Sequence, residues 1–439
     1  MARLNCILLF IILDGFALSA QSRWNYSYTD SLTFALYNAG NYEMLVDSSS
    51  AALKDGTDFY YLRMRRGIAF YQLGEYGNAI PEFEHALKFF PADSVSREYL
   101  YLSEMENGRR SEARWDGKNL SANEKKLLGY ENPIFTQVGA WVGYSAFNTS
   151  GLQAMDMPQT TIYKNLSYGE VYFKNRIGQR FELGTEFSFL QFTQLEQFPP
   201  AQPSAGGPQQ RPQPVQFESK GMQPGISFSG NYLFTRKFSM VGSVHYNRTT
   251  STSHQLLQPY AFEEQQHSVS ILEYGIGTSY HFAKFDVGAH SYYLHTSDTG
   301  NIFQSSLLAT WYPHANLDLY CKASFSSVIF NSQIHPVASL MVGKKVGKNA
   351  WLDGEFLFGN LKYYTAPENN LLYNMADETS WRLSATLHLF EKNHLLLDFQ
   401  YAYTSRYSSA LLFSPGNAPV QSSFNYHSNQ LTISSSWKF

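Results

Sequence analysis

Apolar and polar residues alternate over long stretches between residue 133 and the carboxy terminus. The pattern is clearest at 381–389, where every odd position is apolar and every even position is polar. Successive side chains of a strand point to opposite faces, so each such segment is predicted to be a strand with one apolar and one polar face. Strands of this kind are typical of a transmembrane barrel, because lipid covers the apolar face.

Turn residues divide this region into regularly spaced strands. Six short connections, from 178–180 to 391–393, alternate with seven connections on the opposite side, among them long ones at 198–220 and 361–378. The sequence therefore predicts about 14 antiparallel strands, an even number as in bacterial barrels. The barrel is expected to span residues 130–439, with both of its ends on the short-turn side, which would face the periplasm.

Composition favours a barrel over a helical membrane protein. Aromatic residues make up 16% of the chain and charged residues 16%, whereas about 25% of residues are charged in ordinary soluble proteins. Beyond the amino-terminal segment, no stretch has the roughly 20 consecutive apolar residues of a membrane-spanning helix. The formal charge of -3 disfavours nucleic acid as a partner, because nucleic-acid binding needs a concentrated basic face.

Residues 1–20 are predicted to be a cleaved secretory signal. Arg3 precedes an apolar run at 6–13, and small residues follow up to Ala20. This order of charge, apolar run and small residues is typical of export signals. Cleavage would remove Cys6 and leave Cys321 as the only cysteine of the mature chain, which excludes an internal disulfide.

Between residues 58 and 93 the apolar period is helical. Small and aromatic residues there occupy the packing positions of the tetratricopeptide pattern, a helix-turn-helix unit of about 34 residues. These packing residues are Gly67, Phe70, Gly74, Ala79, Phe83, Ala86 and Pro91. The segment resembles one tetratricopeptide repeat, and weaker matches on both sides extend the prediction to three repeats within a periplasmic domain at 21–129.

The first helix of this repeat carries an aromatic and basic surface made of Tyr60, Tyr61, Arg63 and Arg66. Tyrosine and arginine are enriched in protein interfaces, and stacked repeats of this type resemble protein-binding scaffolds. We therefore expect this surface to bind a partner protein in the periplasm or the outer membrane. The alternative is that the repeats form only a plug or a spacer.

Charged residues on the polar faces of the strands are predicted to line the barrel lumen, since an outward Lys or Arg at the membrane midplane would cost about 2–4 kcal/mol. The candidates are Glu182, Glu186, Asp318, Lys322, Asp353, Glu355, Arg382 and Asp398. Both signs occur on neighbouring strands. Two interpretations remain open: a salt-bridged network that fills a narrow barrel, and a pore constriction in which rings of charge set selectivity.

The chain is predicted to end on a strand at 431–439, with Trp437 and Phe439 on its apolar face. A terminal aromatic strand resembles that of bacterial outer-membrane proteins, which the barrel-assembly machinery reads. Together with the repeats, it makes the chain resemble YaiO-like outer-membrane proteins and, more distantly, the tetratricopeptide barrels that export exopolysaccharide. The resemblance implies an α+β protein in outer-membrane lipid.

Three functions follow from this architecture. The first is a non-enzymatic barrel whose repeats recruit a partner in a secretion, envelope-assembly or outer-membrane complex. The second is a pore for solute or polysaccharide export, and the third is a lipid-modifying enzyme. Adjacent His427 and Ser428 are similar to the pair of the outer-membrane phospholipase, but there one residue separates them and they share a strand face. No catalytic residue, cofactor or metal site is therefore expected.

Overall fold

The computed structural model describes residues 24–130, 132–149, 158–198, 214–257, 261–367, 371–373, 377–390, 394–412 and 420–439. The chain divides into two compact units, Met1–Tyr130 with His314–Asn316 and Glu131–Pro313 with Leu317–Phe439. The predicted signal at 1–20 and the proline-rich stretch at 199–213 lie outside the described residues.

The described part of the first unit contains seven helices. They are α1 (Tyr26–Asn38), α2 (Tyr42–Lys54), α3 (Tyr60–Gln72), α4 (Tyr76–Phe89), α5 (Ser94–Glu106), α6 (Arg110–Gly117) and α7 (Ala122–Leu127). Polar side chains start several of them: Asn25 accepts a hydrogen bond from the Tyr28 amide at 2.9 Å, and Ser121 and Glu124 form a reciprocal capping box on α7. Such caps satisfy amide groups that the first helical turn leaves unpaired.

Helices α3 and α4 pack closely because small residues face large ones. Leu62, Phe83 and Ala86 are fully buried. A Cβ atom added at Gly67 would lie 2.7 Å from Cε1 of Phe83, so only glycine allows this approach. Gly74 has a φ of 75°, a left-handed conformation that glycine adopts without strain, and it separates the two helices.

The second unit is a closed antiparallel barrel of 14 strands, which confirms the predicted α+β fold and the strand number. Each strand pairs with its neighbours along the chain, and the last strand pairs with the first. The barrel strands are β1 (Phe135–Phe147), β2 (Pro158–Ile177), β3 (Phe181–Phe198), β4 (Val215–Leu233), β5 (Phe238–Leu257), β6 (Ala261–His281), β7 (Phe285–Thr296), β8 (Gly300–Trp311), β9 (Leu319–Phe330), β10 (Gln333–Gly347), β11 (Ala350–Gly359), β14 (Glu378–Phe390), β15 (Leu395–Leu412) and β16 (Val420–Lys438). Two short strands, β12 (Tyr364–Ala366) and β13 (Leu371–Tyr373), pair with each other in a separate two-stranded sheet.

The barrel strands have an apolar outer face and a mostly polar inner face. On β8, Phe303 and Leu307 are exposed, whereas Gln304 and Ser306, which lie between them in the sequence, are buried. Leu307 is paired with Phe325 of β9, which is also exposed. Even-numbered residues of β8 therefore face the lumen, and odd-numbered residues form part of an outer apolar belt. Among the described helices, none has the length and apolar character to cross a membrane.

Candidate functional site

A short hairpin lies inside the barrel lumen. It consists of residues 361–367 and 371–373, contains β12 and β13, and is called the lumen hairpin below. The sequence predicts these residues as part of a long connection between two barrel strands. The structure instead places Leu361, Tyr364 and Thr365 in fully or almost fully buried positions, in contact with residues on the inner wall.

Thr365 is held to the wall at three points. The Gln304 side chain pairs with the Thr365 backbone on both sides: Nε2 donates to the Thr365 carbonyl at 2.7 Å, and Oε1 accepts from the Thr365 amide at 2.9 Å. The Thr365 hydroxyl donates to Oε2 of Glu273 at 2.6 Å. A carboxamide thus replaces a neighbouring strand, and it satisfies backbone groups that would be costly to bury unpaired.

Two tyrosines fix the ends of the lumen hairpin. The Tyr363 hydroxyl lies 2.6 Å from the hydroxyl of Thr299, in the turn between β7 and β8. The Tyr292 hydroxyl donates to the Pro367 carbonyl at 3.2 Å. Because Thr299 lies in the β7–β8 turn and Tyr292 within β7, the hairpin enters at that end of the barrel and reaches into its interior.

The wall beneath the hairpin is apolar. A buried cluster joins it to the hairpin. Its wall members are Ile271, Tyr292, Leu294, Ile302, Val328, Phe330, Val337 and Leu357, and its hairpin members are Leu361, Tyr363 and Tyr364. Inward apolar residues are unfavourable in a water-filled pore, so burial under the hairpin removes them from water.

The charged residues predicted for the lumen fall into separate groups. Glu182 lines an internal cavity, and Glu186 lies on the same strand, opposite Tyr172. Lys322 lies on β9 between Thr310 and Met341 of the neighbouring strands. Asp318 precedes β9 by one residue and is largely exposed, 3.3 Å from Nζ of Lys345.

The other four predicted charges lie on one wall, on β11, β14 and β15. Nη1 of Arg382 is 3.6 Å from Oε2 of Glu355. His388 lies between the two aspartates, with Nε2 3.1 Å from Oδ2 of Asp353 and Nδ1 2.7 Å from Oδ1 of Asp398. Opposite charges therefore neutralise one another along this wall, and His388 is a member of the network that the sequence did not single out.

The predicted packing residues lie between the helices of the first unit. Phe70, Ala79, Phe83 and Ala86 are buried, whereas Pro91 is exposed just after α4. The residues of the predicted partner surface have different environments. Arg63 pairs with Asp58 at 2.8 Å and Glu82 at 2.9 Å, and Arg66 pairs with Glu82 at 3.0 Å. The hydrogen bond to Asp58 is the main cause that raises the pKa of Arg63.

The tyrosines of that surface are more available. Tyr61 is exposed and lies 4.9 Å from the ring of Tyr60, which in turn contacts Phe90 at 6.0 Å. Burial raises the pKa of the Tyr60 hydroxyl. In the terminal strand, Trp437 and Phe439 are both exposed, and the Phe439 amide donates to the Thr136 carbonyl at 3.1 Å.

Two further observations concern chemistry. Ser428 is buried, whereas the ring of His427 stacks on Tyr403 at 5.4 Å, so these neighbours are on opposite faces of β16. Within the described ranges, no group of three or more histidine, cysteine or acidic residues could hold a metal ion.

The signal that would have revealed the lumen hairpin is a local break in the alternation. Ile302, Val328, Val337 and Leu357 are apolar residues at inward positions of four adjacent strands. Where strands are apolar on both faces, lipid can cover the outer face, but another part of the protein must cover the inner face. That signal does not say which connection folds inward.

No protein-family model matches this chain. No curated protein matches its sequence. Among solved structures, it is similar to the toluene transporter TodX of Pseudomonas putida, with 9% identity and a TM-score of 0.44 over 73% of this chain and 94% of that chain. It is also similar to a Pseudomonas aeruginosa FadL homologue, with 10% identity and a TM-score of 0.45 over 71% of this chain and 94% of that chain. The assignment of a closed 14-strand barrel rests on the strand pairing of this chain.

Proposed function

We propose that this protein is a non-enzymatic outer-membrane channel whose lumen is closed by the lumen hairpin. The observation that carries the proposal is the position of Thr365, which is buried inside the barrel and bonded to Gln304 and Glu273 on the wall. A barrel of 14 strands is intermediate between the roughly 8 strands that side chains can fill and the roughly 16 that leave an open channel. The hairpin supplies the remaining filling.

The strand pairing favours a removable closure over a permanent filler. In the described residues, β12 and β13 form a sheet of their own and do not join the ladder of the barrel. The hairpin is attached by side-chain hydrogen bonds, by apolar contacts with the wall and by one backbone hydrogen bond, from the Leu361 amide to the Thr379 carbonyl at 3.0 Å. Moving it outward would therefore break a few contacts while every barrel strand keeps both neighbours.

Conductance in planar bilayers tests this function. Residues 361–373 are replaced by a glycine-serine linker of equal length, and single-channel currents are compared with those of the unmodified protein. We expect small or rare openings in the unmodified protein and a current at least several-fold larger in the variant. Equal currents in the two proteins would contradict the proposal.

A single substitution tests whether the hairpin can open the channel while it is still present. Gln304→Ala leaves the buried amide and carbonyl of Thr365 unpaired, which costs about 1–3 kcal/mol for each group. More frequent openings with an unchanged open-state current are expected. Leu307→Ala, on the outer face of the same strand, is the matched control, and its openings should equal those of the unmodified protein.

A second function, partner binding by the repeats, is favoured by one surface. The Arg65 guanidinium lies 5.1 Å from the ring of Phe34 and 5.3 Å from the ring of Tyr61, and both rings are exposed. Cation–π contacts of this kind hold the two rings in place. We propose that this aromatic surface, and not Arg63 and Arg66, contacts a protein partner in the periplasm. The two arginines already pair with Glu82.

Affinity purification with mass spectrometry tests the second function. The double variant Phe34→Ala, Tyr61→Ala should lose associated proteins that the unmodified protein retains, and Phe89→Ala, at another exposed phenylalanine, should keep them. An identical set of associated proteins in all three samples would contradict it.

Two further experiments test location and assembly. Protease added to whole cells should spare the repeats, because the proposal places them in the periplasm. Deletion of Phe439 should reduce barrel assembly.

A further inference from the structure

A polar cavity lies in the lumen against the inner end of the lumen hairpin. Its volume is about 420 Å³. It is bounded by strands β2 to β8 and by Pro367 of the hairpin, and its principal polar side chains are Lys174, Glu182, Asn231, Asp286, His290 and Thr310. The volume lies within the range of roughly 300–1,000 Å³ that small-molecule sites occupy.

Hydroxyl and amide groups line the wall between the charges, beside apolar residues such as Val241 and Leu308. Ser229, Ser239, Ser279 and Thr310 all line the cavity, and the hydroxyls of Ser239 and Ser279 lie 2.7 Å apart. In the described part of the chain, Oδ1 of Asn231 is buried without a hydrogen-bond partner. A hydroxyl group can both donate and accept, so a ligand with several hydroxyls would match this wall.

The charges of the cavity favour a neutral ligand. Lys174 and Glu182 lie on neighbouring strands and carry opposite charges. Asp286 already accepts hydrogen bonds from His281 at 2.7 Å and Tyr312 at 2.8 Å, which offsets its negative charge. A ligand with a full charge would lose its own hydration without an equally strong replacement, whereas a neutral one would exchange hydrogen bonds with water for hydrogen bonds with the wall.

The cavity also adjoins the contact that holds the hairpin. Pro367 lines the cavity, and its carbonyl accepts from Tyr292, whose hydroxyl is 3.4 Å from Nδ1 of His290. A solute in the cavity would therefore lie against the inner end of the closure.

We propose that this cavity binds a small neutral polyhydroxylated solute the size of a monosaccharide or a sugar alcohol. Its role as a solute that passes through the barrel rests on the channel function proposed above. Binding itself does not, because the cavity is formed with the hairpin in place.

Isothermal titration calorimetry of the full-length protein in detergent tests the inference. The probes are glucose, sorbitol, lysine and glutamate, each titrated separately. Saturable binding of glucose or sorbitol is expected, with weaker or no binding of the two charged probes. Asn231→Leu should weaken sugar binding by about two- to tenfold, the range that corresponds to one lost hydrogen bond.

Asn247→Leu is the matched control. Asn247 also lies on a barrel strand, is buried and has an unpartnered Oδ1 in the described residues, but it does not line the cavity. The Asn247→Leu variant should bind sugar as the unmodified protein does. Thr310→Val serves as a second cavity variant if Asn231→Leu fails to assemble, as judged by its gel mobility before and after boiling.

Three results would overturn the inference: no binding of either polyol, binding of only a charged probe, or unchanged sugar binding in the cavity variant that assembles. Channel currents recorded on the same preparations distinguish this failure from failure of the channel function. Currents that depend on the hairpin without polyol binding would overturn the ligand class alone, and polyol binding without such currents would overturn the channel alone.

Discussion

The helical unit and the barrel place the same types of residue in opposite positions. In the helical unit, Leu62 is 0% exposed at the centre of a helix pair, whereas Leu307 at the middle of β8 is 64% exposed. Both positions are favourable if water surrounds the helical unit and lipid surrounds the barrel. Exposure of an apolar side chain therefore indicates whether water or lipid surrounds that part of the protein. It does not measure how much the side chain contributes to stability.

The lumen hairpin adds a third environment, in which apolar side chains face inward within the barrel. Ile302 and Val328 point into the lumen but are covered by Tyr364 and its neighbours. The inner wall beneath the hairpin thus resembles the core of the helical unit. This local reversal marks the part of the wall that the hairpin covers.

Loss of a buried leucine in the helical unit should have the largest effect on stability. Leu62→Ala removes a fully buried side chain and is expected to destabilise the helices by about 2–5 kcal/mol. Helix melting of the full-length protein in detergent, followed by circular dichroism at the helical band, measures the change. The same substitution at Leu307 should leave helix melting unaltered, and equal shifts in the two variants would remove the contrast between the environments.

The reverse experiment introduces charge on the barrel surface. Leu307→Arg places a guanidinium near the centre of β8 on the outer face, where lipid contact would cost about 2–4 kcal/mol. A lower urea midpoint for barrel folding in lipid vesicles is expected, whereas Leu307→Phe should keep the normal midpoint because it stays apolar. If the arginine variant folded as stably as the phenylalanine variant, the outer face of β8 would not be in contact with lipid.

The sequence predicted those features that depend on local patterns. Alternation within each strand was sufficient for a closed barrel of 14 strands. Gly67, predicted as a packing residue, lies where an added Cβ atom would be 2.7 Å from Cε1 of Phe83. The pairing of Arg63 and Arg66 with Glu82 could not be predicted in the same way, since Glu82 lies on the next helix and competes with any external partner for both arginines.

The lumen hairpin was missed for a related reason. Thr365 binds Gln304 and Glu273, which are 61 and 92 residues away in the sequence. Nothing in residues 361–373 themselves distinguishes a segment that folds inward from a surface loop. The information lies in the combination of those residues with an apolar patch distributed over six other strands.

Overpacking the helical unit should have a moderate effect that is confined to that unit. Ala86 is fully buried on α4, so Ala86→Trp is expected to destabilise the helices by about 1–3 kcal/mol. The barrel should still assemble, because its own hydrogen-bond ladder closes it, and it should keep its altered gel mobility on boiling. Lys88→Trp adds the same ring at an exposed position of this helix and should leave helix melting unchanged. Loss of the barrel in the Ala86 variant would show that the two units do not fold separately.

The smallest effect concerns acid sensitivity of the helical unit through His85. Burial lowers the pKa of His85, with a further contribution from the positive charge of Arg63, and Nδ1 of His85 is buried without a partner in the described residues. The unfolded chain then binds a proton at a higher pH than the folded chain does. Stability from this group is complete above the unfolded pKa of about 6.5 and declines as the pH falls toward the lowered folded pKa.

Helix melting at pH 7.5 and at pH 5.0 measures this contribution. The unmodified protein should melt at a slightly lower temperature at the acidic pH, and His85→Gln should show a smaller decrease because glutamine does not titrate. The barrel should be indifferent to the variant at both pH values. An equal decrease in the two proteins would assign the acid sensitivity to other groups. A larger decrease in the variant would mean that the folded helical unit favours the protonated imidazole.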